Sequence, residues 1–191
     1  MIQYTLFETA WGPFGLVSGA RGLLATFLPG ERADRLTARI RARWPGAVPD
    51  PDPFIALQAM VRDYFDDDHG LGEACDPSRF EVRLDLSGMT EFRRRVTLAC
   101  RNVSRGQTIS YAELARRAGS AGAVRAAGSV MADNPFGLIV PCHRVIRSDG
   151  SIGEFGGPDG SELKERLLTH EGALVRNRSG PRPNTRHAAV W

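Results

Sequence analysis

Lysine is nearly absent from this chain. Of 25 Lys and Arg residues only Lys164 is a lysine, so almost all positive charge is arginine. Arginine-favouring codon usage explains the skew most simply; phosphate contact, which suits the guanidinium fork, is the functional alternative. No apolar run approaches the ~20 residues of a bilayer span, which excludes a transmembrane helix. The first residues show no basic segment leading into an apolar stretch, so no secretory signal is expected and the cytoplasm is the default location. Cysteine is scarce. Cys75, Cys100 and Cys142 are an odd number at scattered spacings, which argues against a disulfide framework. No Cys-x-x-Cys or His-x-His cluster offers a zinc site, and Asp66-Asp67-Asp68-His69 reads as a solvated helix end. Neither metal nor cofactor is therefore expected. Internal repeats are missing too.

What is present is the balance of an ordinary globular protein. A length of 191 residues holds one large domain or two small ones. A formal charge of +3 permits nucleic-acid binding without requiring it. Ile2 to Glu8, Phe14 to Ser18 and Leu23 to Leu28 read as short strands between Gly and Pro punctuation. Glu31 to Trp44 reads as an arginine-rich helix stopped by Pro45-Gly46. Phe54, Leu57, Val61, Tyr64 and Phe65 recur at helical spacing, whereas Phe80, Val82, Leu84 and Leu86 alternate as in a strand. After Ser87-Gly88 the pattern turns helical. Thr90 can cap a helix with Phe92, Val96, Cys100 and Val103 on one side, Cys100 being a packed thiol. Arg93, Arg94 and Arg95 read as its solvated face. Ser110 and Glu113 form a capping box that opens a short helix. The Gly119-Ser120-Ala121-Gly122 turn leads to a second helix over about 123–132, giving a helix-turn-helix pattern. Ala126, Gly128 and Ser129 let that helix approach another surface closely, and Arg125 is its one long cation.

These readings predict an α/β N-terminal domain, a small sheet with helices, over residues 1–87. A mainly α C-terminal domain with a helix-turn-helix, winged-helix-like, follows over 88–175. Residues 176–191 read as a disordered tail.

The chemistry centres on Ile139-Val140-Pro141-Cys142-His143-Arg144-Val145-Ile146. A thiol beside an imidazole, flanked by apolar runs, is a candidate nucleophile. Neighbouring side chains on an extended segment diverge, so the pair requires a tight turn or a bridging water. Glu171 falls in the last turn of a helix, where the dipole disfavours negative charge. It reads first as a surface carboxylate and alternatively as one held by a partner such as histidine.

Pro141-Cys142-His143-Arg144-Val145 resembles the active-site motif of the O6-alkylguanine-DNA alkyltransferases, and the resemblance runs from about Phe92 to Glu171. It implies a single irreversible transfer of an alkyl group from guanine to Cys142, after the base has left the duplex. His143 and Glu171 would activate the thiol and lower its pKa, and Asn134 would brace the preceding turn. Tyr111 and Arg125 would drive and hold base extrusion, with Ala126 and Ser129 on the helix in the minor groove. Val145, Phe155 and Gly156 would receive the extruded base, through the carbonyls of Cys142 and Val145 and the Gly156 amide. The implied partner is double-stranded DNA carrying O6-alkylguanine, bound by a monomer. Loss of repair with retention of binding, as in the related alkyltransferase-like proteins that lack the cysteine, is the other reading. Thr97, Ser104 and Glu154-Phe155 depart from residues frequent in that family.

Overall fold

The computed structural model describes residues 1–51, 54–66, 75–153, 155 and 160–173. Strands β1 (Gln3–Thr9), β2 (Gly12–Gly19) and β3 (Gly22–Phe27) form an antiparallel meander. Its two hairpins close on Gly12 and Gly22, whose φ values of 111° and 127° a side chain would resist. A two-residue strand β4 (Val48–Pro49) adds parallel to β1, giving the order β3-β2-β1-β4. Helix α1 (Ala33–Arg43) inserts Ile40 into a small cluster with Tyr4, Val17 and Ala25 of the sheet. The sheet also contributes Phe7, Phe14, Leu16 and Leu23 to the main core. There they meet Leu57, Val61, Tyr64 and Phe65 of α2 (Ile55–Asp66), the expected stripe.

The main core continues without a break into the second half of the chain, through Val96, Leu114, Ala127, Val140 and Leu167. Helix α3 (Glu91–Arg101) starts as expected, with Thr90 Oγ1 accepting the Arg93 amide at 3.3 Å. Strand β5 (Ile109–Ser110) leads into α4 (Tyr111–Arg117), and Gly119 at φ 71° ends the helix. Helix α5 (Val124–Ala132) buries Ala127, Val130 and Met131 and exposes Arg125, Ala126 and Ser129. A 3₁₀ turn, Cys142–Arg144, runs into β6 (Val145–Ile146), which pairs parallel with β5. Helix α6 (Gly160–His170) follows. The small sheet with helices and the helical second half are the predicted fold class. Trp11, at the β1–β2 turn, ties the halves together. Its ring lies 5.1 Å from both Phe65 and His170, with the Arg166 guanidinium 3.6 Å above it. Among the described residues no helix is long and apolar enough to cross a membrane.

Three local expectations are corrected. Residues 80–86 form no strand; only Leu84 bridges, to Leu23. The Val82 amide turns back to the Phe80 carbonyl at 2.8 Å, which breaks the run, and the Arg101 guanidinium holds the Phe80 and Val82 carbonyls at 2.6 and 3.2 Å on the side away from β3. Arg93 and Arg94 are not a solvated face. They bind the Asp133 and Leu86 carbonyls at 2.7 and 3.1 Å, and only Arg95 is exposed. At Ser110 half the capping box forms: its hydroxyl accepts the Glu113 amide, while the Glu113 carboxylate turns to Arg116 and Arg117. His69, Gly156 and the 176–191 tail lie outside the described residues.

Candidate active site

The segment that carries Cys142 is strapped at both ends. Upstream, β3 holds it: the Thr26 amide donates to the Pro135 carbonyl, and Thr26 Oγ1 donates to that of Gly137, both at 2.8 Å. Asn134 closes the same turn from within. Its Oδ1 accepts the Phe136 amide at 3.1 Å, and its Nδ2 donates to the Val140 carbonyl at 2.8 Å and to Cys142 Sγ at 3.0 Å. Leu138, fully buried, is held at φ 75°, a strained value for a branched side chain. Downstream, the β5–β6 pair places Ser110, the cap of α4, opposite Ile146. The reactive segment and the start of the helix-turn-helix are thus joined by a ladder.

Cys142 lies on the wall of a cleft of about 550 Å³ that is also lined by Met131, Pro135, Phe155 and Leu163. The Cys-His pair occurs in a tight turn, one of the two arrangements the sequence allowed. His143 is fully buried. Its Nε2 meets Glu171 Oε1 at 2.8 Å, and its Nδ1 has no hydrogen-bond partner among the described residues. Burial alone would raise the Glu171 carboxyl, but His143 and Arg144 hold it far below the ordinary range, so it is ionised. An ionised acceptor at Nε2 requires a proton there, which leaves Nδ1 as a bare acceptor. Burial lowers the His143 pKa, with Glu171 opposing it.

Glu171 is not a surface carboxylate. Tyr64 Oη donates to Oε1 at 2.8 Å, and Arg144 donates to Oε2 from Nε and to Oε1 from Nη2, each at 2.9 Å. Arg144 is itself wholly buried. It also reaches Asp76 Oδ1 at 2.8 Å and Oδ2 at 3.1 Å, Ser78 Oγ at 3.0 Å and the Val103 carbonyl at 2.6 Å. Such a fork satisfies a buried guanidinium from two sides.

The expected low thiol pKa is corrected. Burial pushes the Cys142 thiol above its ordinary value. Asn134 and Lys164 pull it down without reversing that.

Tyr111 is partly buried, its ring close to the Cβ positions of Gly153 and Gly128, so these glycines make room for it. Lys164 Nζ lies 5.9 Å from both the Tyr111 and Phe155 rings. It donates to the Val145 carbonyl at 2.6 Å, and burial lowers its pKa to about 8. Cys142, His143, Glu171 and Asn134 thus come together, Phe155 lines the same cleft, and Lys164 links Val145 and Tyr111 to Phe155. Arg125, Ala126 and Ser129 stand apart on the exposed face of α5.

Sequence reasoning gave no role to Tyr64, Asp76, Arg144 or Lys164. Arg144 was inside the motif, and the lone lysine of an arginine-rich chain was a usable signal. Asp76 offered none.

This geometry defines a helix-turn-helix protein with a buried thiol beneath its recognition helix. Residues 91–173 match the family model described as 6-O-methylguanine DNA methyltransferase, DNA binding domain. A methylated-DNA–protein-cysteine methyltransferase from Mycolicibacterium paratuberculosis is 43% identical over 172 residues, 90% of this chain and 93% of the relative. One from Methanothermobacter thermautotrophicus is 49% identical over 92 residues, 48% of this chain and 50% of the relative. The crystal structure of Mycobacterium tuberculosis OGT in complex with DNA superposes with a TM-score of 0.70 at 32% identity, covering 89% of this chain and 92% of that one. The chain belongs to the methylated-DNA–protein-cysteine methyltransferase family.

Proposed function

We propose that this protein repairs O6-alkylated guanine in DNA by moving the alkyl group to Cys142, once per molecule. The observation that carries the reading is His143: buried and held on Glu171 through Nε2, it keeps Nδ1 as a bare acceptor in the same tight turn as Cys142. A thiol raised by burial needs such an acceptor. The Cys142 proton passes to His143 through a bridging water, and the sulfur attacks the alkyl carbon. The S–C bond forms as the C–O6 bond breaks, and the proton held by His143 balances the departing guanine anion. The thioether cannot be hydrolysed by these groups, so the reaction stops after one turnover. No cofactor is needed.

The lesion reaches the thiol by leaving the duplex. Arg125, exposed on α5, fills the gap in the stack, while Ala126 and Ser129 allow the helix into the minor groove. Tyr111 at the start of α4 crowds the neighbouring phosphate. The extruded base enters the cleft beside Phe155, with Gly156 as a further contact. The Val145 carbonyl keeps a second lone pair for the base although Lys164 uses the first. The partner is lesion-bearing double-stranded DNA, bound by a monomer in the cytoplasm.

Intact-mass spectrometry after incubation with an O6-methylguanine duplex tests the reading. One added methyl per chain is expected, absent in Cys142→Ala. Tight binding with no mass change would instead make the protein a non-repairing lesion binder. Multiple turnovers, or methyl on Cys75 or Cys100, would also refute it.

A further inference from the structure

Arg144 brings a full positive charge beside the carboxylate that must stabilise an imidazolium. Left uncompensated, it would compete with His143 for the charge of Glu171. The group that compensates it comes from the first half of the chain. Asp76 is 1% exposed and bridges both terminal nitrogens of Arg144. Its remaining acceptor capacity is also filled. Oδ1 takes the Ser78 amide and hydroxyl at 3.1 and 2.8 Å, and Oδ2 takes the Arg105 amide at 3.1 Å. An acid so fully hydrogen-bonded stays ionised.

Glu171, Arg144 and Lys164 act on His143 directly, and Asp76 acts on it through Arg144. Arg144 and Lys164 are positive, and Asp76 and Glu171 are negative. Tyr64, Cys142 and Cys100 are neutral before reaction. The Arg105 guanidinium stands 5.1 Å from the Tyr64 ring centroid. Within the buried network Asp76 and Glu171 balance Arg144 and Lys164, while the partly buried Arg105 and the exposed Arg147 add positive charge around it. Removal of Asp76 leaves two cations against one anion at the place where a proton must arrive.

We infer that Asp76 is a positioning residue for the alkyl transfer: its charge offsets Arg144, leaving Glu171 to hold the imidazolium that forms at His143. The inference rests on the alkyl-transfer reading. It adds a residue of the first half of the chain to the reaction, 68 positions before Arg144 and without contact to Cys142.

Single-turnover rates with free O6-benzylguanine, measured across pH, test it without involving DNA. Asp76→Asn presents an amide to groups that all donate, so Asp76→Ser is the second neutral variant. At pH 7 both should react roughly tenfold more slowly, a loss that corresponds to one unit of proton affinity. Their rate–pH profiles should move to the alkaline side. The deficit should shrink at high pH, where the thiol loses its proton to solvent and His143 need not hold it. Asp76→Glu, which keeps the charge, should leave the profile near that of the wild type. Asp76→Asn with Arg144→Gln removes one charge of each sign and should bring the profile back toward the wild type. If Asp76→Asn does not fold, Asp76→Ser and the double variant decide. An equal loss at every pH in a folded neutral variant overturns the inference and makes Asp76 a structural residue only. A wild-type protein that never alkylates Cys142 refutes the proposed function itself, a separate outcome.

Discussion

Tyr64 and His143 address the same atom, Glu171 Oε1, each at 2.8 Å. One comes from a helix in the first half of the chain and the other from the motif that carries the thiol. Sharing the oxygen fixes the carboxylate in the plane His143 requires. It also makes the imidazole one donor among several, so under the proposed function Glu171 would serve as a fixed charge and not as a proton acceptor.

Glu171→Gln tests that role. It removes the charge that stabilises imidazolium and leaves DNA contacts untouched. Single-turnover transfer should slow by roughly 10²-fold or more, as for loss of general acid–base assistance, while the affinity for lesion duplex changes little. An unchanged transfer rate would take Glu171 out of the mechanism.

Tyr64→Phe deletes one buried donor to a charged acceptor and preserves the ring. A destabilisation of about 1.5–3 kcal/mol is expected, measured by urea unfolding. A loss near zero would mean that Arg144 and His143 satisfy Glu171 by themselves.

Acid should unfold the protein through this network. Glu171 and Asp76 are both held below their ordinary values of 4.5 and 3.8, against the effect of burial. A carboxylate depressed on folding contributes stability above its unfolded pKa, and that contribution is lost as pH falls through the folded one. His143 is also depressed, by burial, from 6.5. It binds a proton less readily when folded, so it too favours the native state more as pH rises toward and past that value. Melting temperature should therefore fall as pH drops from about 6 toward 2, and more shallowly in Glu171→Gln. Parallel curves for the two proteins would contradict the assignment.

Arg125→Ala separates extrusion from chemistry. Unstacking a base costs a few kcal/mol, and under the proposed function Arg125 would offset part of that by filling the gap. Transfer from duplex DNA should slow strongly, with little effect on reaction with free O6-benzylguanine. Duplex binding should weaken as salt rises in both proteins. Equal losses on both substrates would mean that Arg125 supports the pocket.

Much of this was legible in the sequence where one rule governs one segment. The Ser110 cap, the small exposed face of α5 and the stripe on α2 follow from periodicity and capping. Glu171 was legible as an anomaly, a carboxylate set against a helix dipole. What could not be read were interactions reaching across the chain. The Phe80–Leu86 alternation does place Val82 and Leu84 inside, yet only Leu84 pairs, with the distant Leu23, and Arg101 binds the carbonyls on the other side. Arg144 carried no sign of its own burial, since arginine is seldom buried unless paired, and its partner Asp76 carries no local signature. The thiol pKa was misjudged for the same reason: adjacency to histidine is visible in sequence, but the depth of burial is not.

Strand β3 lies at the rim of its sheet, and two distant segments cover its outer side. Asp85 and Arg83 exchange hydrogen bonds with Leu23, and Pro135 accepts from Thr26. An uncovered rim of this kind invites pairing with another molecule. The turn that braces the nucleophile is therefore also a guard against aggregation. A fragment ending near Gly88 would keep the first cover and lose the second, and its exposed β3 should make it self-associate where the full chain does not.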